Sequence, residues 1–87
     1  MKFVVGADED RPVVAFVAAR LREKGHEVRV LPIAAWARVA VDVAECVARG
    51  EADQGVVCCW TGTGVTIAAN KVRGVRCALC ADAQTAA

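Results

Sequence analysis

The chain carries almost no net charge: 11 Lys and Arg stand against 10 Asp and Glu in 87 residues, a formal +1. Nothing is left over to attract a nucleic-acid backbone or an anionic membrane. Long apolar runs are missing too. The stretch Phe3-Val4-Val5 behind Met1 is too brief for the core of a secretory signal, and no run approaches the ~18 residues that cross a bilayer. A cytoplasmic protein is expected. No linker, repeat or low-complexity segment divides the chain, so residues 1–87 read as one domain. The cysteines, Cys46, Cys58, Cys59, Cys77 and Cys80, are odd in number. In a reducing compartment they imply free thiols rather than a disulfide framework. What is plentiful is apolar: 56% hydrophobic against 24% charged residues excludes a disordered chain. A domain this small buries only about 60% of its unfolded surface, so self-association into a homodimer or higher oligomer is expected.

The periodicity reads as alternating strands and helices. Lys2 to Gly6 is a short apolar strand, and Arg11 to Lys24 places Val13, Val14, Phe16, Val17 and Leu21 at helical spacing. Pro12 suits a first helical turn, Asp8 and Asp10 before it are N-cap candidates, and Gly25 is a stop. Glu27 to Leu31 alternates as a second strand, and Trp36 to Arg49 repeats Val39, Val43, Ala44 and Val47 as a second helix before Gly50. Gln54 to Trp60 is a third strand, with the continuously apolar core of one buried on both faces. A short helix over Val65 to Val72 and a fourth strand over Val75 to Cys80 follow. The fold class is therefore α/β: an open parallel sheet of four strands built from Rossmann-like βαβ units, three layers deep. Asp82 to Ala87 reads as the start of a helix needing further turns.

In such a sheet the binding crevice lies beyond the carboxyl ends of the strands. Two of the loops there carry unusual residues. Gly6-Ala7-Asp8-Glu9-Asp10-Arg11 gathers three carboxylates, which an acidic helix start would also explain. Cys58-Cys59-Trp60-Thr61-Gly62-Thr63-Gly64 can aim successive N–H groups at one point beside a helix N-terminus, as a phosphate or oxyanion requires. It lacks the Gly-Lys-Ser/Thr of a Walker loop and the spacing of the dinucleotide fingerprint, and no cofactor is implied. Cys59 stands immediately before the concave turn, where a nearby helix N-terminus favours a thiolate, so it reads as a base or nucleophile, against the inert core thiol that a buried strand more often holds. Cys58 points to the opposite strand face and belongs to the core. The pair Cys77 and Cys80 faces opposite ways within a strand, which argues against a metal or redox pair. Trp36 is either a core anchor or a pocket wall.

The runs Gly50-Glu51-Ala52-Asp53-Gln54-Gly55, Cys59-Trp60-Thr61-Gly62-Thr63-Gly64 and Ile67 to Cys80, with Gly6-Ala7-Asp8 and Lys24-Gly25-His26-Glu27-Val28, resemble the ribose-5-phosphate isomerase type B family, which includes the galactose-6-phosphate isomerase subunits. The resemblance runs over essentially the whole chain, as the N-terminal part of the family fold. It implies an aldose–ketose isomerase that works through a cis-enediolate, on a sugar or sugar phosphate, in a dimer whose active site is shared. On that pattern Cys59 is the base. Thr61 and the amides of Gly62, Thr63 and Gly64 form the anion hole, and Asp8 holds substrate hydroxyls. One branch of the family uses instead a Glu at the position of Val65, so the cysteine branch applies. Glu9 stands where the family usually has His, and Trp60 where it has Gly; both are placed at the substrate. The alternative is a non-catalytic sugar- or anion-binding relative. The family continues with a helix bearing a His-Asn pair, a fifth strand and a helix with phosphate-binding arginines. The helix start at Asp82 favours a chain that is a fragment of a longer protein.

Overall fold

The computed structural model describes residues 1–86; the last position of the expected domain, 87, lies outside them. Along the chain run β1 (Lys2–Ala7), α1 (Pro12–Glu23), β2 (Glu27–Val30), α2 (Trp36–Ala48), β3 (Gln54–Cys58), α3 (Thr63–Asn70) and α4 (Ala83–Ala86). The strands form one parallel sheet in the order β2-β1-β3. In the central strand, Val5 lies between Val30 and Val56.

β1 is apolar without alternation because both its faces are covered. Val4 packs with Val39 and Val43 of α2 on one face. Val5 and Ala7 pack with Val14 of α1 on the other. α2 is buried along two edges: Val39, Val43 and Cys46 meet the sheet, while Ala40 and Ala44 meet Val65 and Ala69 of α3. Small side chains on this second edge let the two helices come close, which seats α3 beside β3. No helix among the described residues is long and apolar enough to cross a membrane.

Two expectations differ from what the structure shows. Neither Asp8 nor Asp10 caps α1: its N-cap is Arg11, and no side chain bonds the free amides there. Pro12 causes this, because a residue before proline is held extended. Arg11 sits at φ −119°, ψ 148°, so the turn into the helix falls one residue beyond the acids. The second concerns residues 75–80, which make no sheet pairing among the described residues. Their polar groups find a different partner. The Asn70 side chain donates from Nδ2 to the Cys77 carbonyl at 2.9 Å and accepts the Cys77 N–H on Oδ1 at 2.9 Å. A side-chain amide thus satisfies both backbone groups of Cys77. Val75 and Cys77 still pack on the α2–α3 cluster.

Candidate active site

The register of β1 and β3 builds the site. Ala7 pairs with Cys58, the last residues of the two strands, so both strands release their chains at the same edge of the sheet. The Asp8 N–H reaches the Cys58 carbonyl at 3.4 Å. The two loops singled out in the sequence therefore lie side by side. Between them is a cavity of about 130 Å³ lined by Ala7, Asp8, Glu9, Arg11, Val13, Cys58, Cys59 and Trp60.

The vicinal cysteines divide as strand geometry requires. Cys58 packs with Val5, Ala7 and Val14. Burial pushes its thiol pKa up, with smaller contributions from neighbouring Cys59 and Asp8, so Cys58 is held as a neutral thiol. Cys59 turns to the other face, against the cluster of Ala40, Ala44, Val65 and Ala69. β3 ends at Cys58 rather than Trp60, which leaves Cys59 as the first residue of the loop. The Gly62 N–H donates to the Cys59 Sγ at 3.0 Å, a short distance for a sulfur acceptor that fixes the side chain against the turn.

Gly62 is the N-cap of α3 at φ 79°. That left-handed conformation disfavours any side chain, and a Cβ there would also collide with the Leu79 side chain. Gly62→Ala is expected to cost about 1–3 kcal/mol, read as a lower midpoint in chemical denaturation; an unchanged midpoint would show that the loop can relax. The turn is tied further by Thr66, whose hydroxyl donates to the Gly62 carbonyl at 2.6 Å. The Thr63 N–H donates to Thr61 Oγ1 at 3.2 Å. Because that bond uses an oxygen lone pair, the Thr61 hydroxyl proton stays available to an incoming oxygen. Gly64 carries no side chain because Trp36 lies against it: a Cβ would sit 3.0 Å from the indole Cε3. Trp36 is thus a buttress of the loop. Val65 is 2% exposed and belongs to the core.

Three residues join across the crevice. Glu9 Oε2 accepts from Arg11 Nη1 at 3.2 Å, and Glu9 Oε1 accepts from Trp60 Nε1 at 3.2 Å. The Arg11 guanidinium lies 4.5 Å from the centre of the Trp60 ring. Glu9 is therefore paired, not a bare carboxylate facing the pocket. The sequence pattern pairs Glu9 and Trp60 as two departures at the substrate but shows no contact between them and no role for Arg11. The available signal was a cation two residues beyond an unexplained acid in the same loop.

A larger cavity, about 500 Å³, opens at the opposite ends of the strands beside Lys2, His26, Glu27 and Arg29. No group of three or more His, Cys, Asp or Glu side chains suited to a metal occurs among the described residues. The smaller cavity is lined by both vicinal cysteines and by Trp60, and it lies where open parallel sheets place their ligands.

A sequence model of the ribose/galactose isomerases matches residues 3–87. The chain belongs to that family. Within the ribose/galactose isomerases it is 38% identical, over 92 aligned residues and 99% of its length, to the galactose-6-phosphate isomerase subunit LacB of Clostridium acetobutylicum, of which it covers 53%. A shorter stretch is closer still: 61% identity over 41 residues, 47% of this chain and 27% of the relative, with D-erythrulose-4-phosphate isomerase 2 of Mycolicibacterium smegmatis. Among solved structures, the Clostridium thermocellum ribose-5-phosphate isomerase B superposes with a TM-score of 0.90 at 36% identity, covering 99% of this chain and 62% of that one. The chain thus spans about half the length of LacB.

Proposed function

We propose that this chain supplies the base-bearing half of an aldose–ketose isomerase acting on a sugar phosphate. The observation that carries the reading is Cys59, placed first in a glycine turn at the carboxyl edge of the sheet with its sulfur bonded to the Gly62 amide. In the forward direction the Cys59 thiolate removes the proton from C2 of the open-chain aldose, giving a cis-enediolate. The same sulfur returns a proton to C1 while the hydrogen on O2 passes to O1, so the ketose has the composition of the aldose. Such a step needs donors where negative charge gathers on oxygen. The Thr61 hydroxyl and the amide of Gly64 are assigned that task; the amides of Gly62 and Thr63 are engaged by Cys59 Sγ and Thr61 Oγ1 and orient those two groups, and Asp8 is assigned the sugar hydroxyls.

Three further assignments rest on the same reading. Residues 75–80 join the sheet as its fourth strand when the remainder of the family fold is present, completing the three-layer arrangement. Two copies associate, a view supported by apolar Val13 and Phe16, which are 50% and 63% exposed on α1. The groups that open the sugar ring and hold its phosphate come from outside this stretch.

The test is alkylation of the full-length protein. Iodoacetamide is expected to modify Cys59 and abolish turnover of a sugar phosphate, with saturating substrate slowing both. Alkylation without loss of turnover would overturn the base assignment, and affinity without turnover would favour a binding protein. Substrate choice gives a second expectation. Trp60 fills space that glycine leaves open, and Glu9 replaces an imidazole donor, so ribose 5-phosphate should be handled poorly. The paired change Glu9→His with Trp60→Gly is expected to raise kcat/KM for ribose 5-phosphate. A parent value at or above about 10⁴ M⁻¹s⁻¹ on that sugar would contradict this.

A further inference from the structure

The Glu9, Arg11 and Trp60 side chains form a closed ring of contacts. Glu9 bonds both of the others, and they stack on each other at 4.5 Å. Two members stand on the loop after β1 and the third on the loop after β3, so the ring spans the crevice as a strap. Each contact compensates a weakness of another. Trp60 is 72% exposed, and an indole so open would sample several rotamers without a partner on its N–H and another on its face. The Arg11–Glu9 pair is itself about half exposed and alone would contribute little. Stacking on the aromatic face strengthens it, and the planar guanidinium can stack while its edge meets the carboxylate.

We infer that Arg11 is a specificity-determining positioning residue: it pins Trp60, through Glu9, as a wall that shortens the crevice beside Cys59 and selects a four-carbon sugar phosphate over longer ones. The inference rests on the isomerase reading above and adds to it the length of the substrate. The part of the crevice that this chain lines under the strap is small, about 130 Å³, with Cys59 and Trp60 both in its wall. Size discrimination of this kind is within reach of a wall, since a difference as small as one methylene in a pocket is worth about 10–200-fold.

The experiment compares kcat/KM of the full-length protein on erythrulose 4-phosphate, ribose 5-phosphate and galactose 6-phosphate, for the parent and for Arg11→Ala, Trp60→Gly and the double variant. The parent is expected to prefer the four-carbon sugar. Arg11→Ala, which leaves the indole in place, should shift the ratio toward ribose 5-phosphate by about tenfold. The double variant should shift it no further than Trp60→Gly alone, the sign that the two residues act as one unit. A merely structural role for Arg11 would lower turnover of all three sugars together and leave the ratios alone. A parent that prefers either longer sugar, or ratios that Arg11→Ala does not move, overturns the inference while leaving Cys59 as the base. If none of the three is turned over, the isomerase reading fails. The same ratios are then read as dissociation constants from intrinsic fluorescence, where equal binding or none overturns the strap as well.

Discussion

Replacing Cys59 by alanine in the full-length protein is expected to reduce isomerisation by at least about a hundredfold while leaving the fold intact. The amides of the turn can stabilise charge on an oxygen, but they cannot take a proton from carbon, so nothing nearby substitutes for the thiolate. The sulfur sits against the turn through a single bond from the Gly62 N–H. Losing it therefore leaves one partly buried amide to be solvated rather than a collapsed core. Cys58→Ala is the matched control. That side chain packs with Val5, Ala7 and Val14, so its loss should appear as a small cavity and a modest drop in stability with turnover largely kept. Steady-state kinetics and thermal unfolding of the two variants decide the matter. Equal activity in both would remove Cys59 from the chemistry.

The second large effect is expected at Thr61. Thr61→Val preserves shape but removes both functions of the hydroxyl, acceptance from the Thr63 N–H at 3.2 Å and donation to an enediolate oxygen. The loss falls where charge develops, so kcat should drop by about 10²-fold with little change in KM. The local bond is exposed and its loss is worth little stability, so a fall in kcat cannot be ascribed to unfolding. A rise in KM alone would mean that Thr61 binds the ground state and the transition state equally.

The sequence by itself determined the parallel sheet and the order of elements as far as α3. Those follow from local periodicity, from Pro12 at a helix start and from the glycines behind α1 and α2. It also separated Cys58 from Cys59, because neighbours at the end of a strand face opposite ways whatever surrounds them. That the two candidate loops lie side by side was legible for the same local reason: they follow strands whose ends must lie at one edge of the sheet.

The sequence could not decide contacts between segments distant along the chain. The partner of Glu9 on the far side of the crevice is Trp60, 51 positions away, and only the alignment of Ala7 with Cys58 brings the two within reach. The same holds for Trp36, equally a core residue or a pocket wall until α2 set its ring against Gly64. Residues 75–80 have the apolar content of a strand, but a strand exists only when a neighbour takes its backbone groups, and here the Asn70 amide holds those of Cys77. Local pattern states what a segment can become; the tertiary structure supplies the partner that satisfies its polar groups, and for Cys77 that partner is the Asn70 side chain.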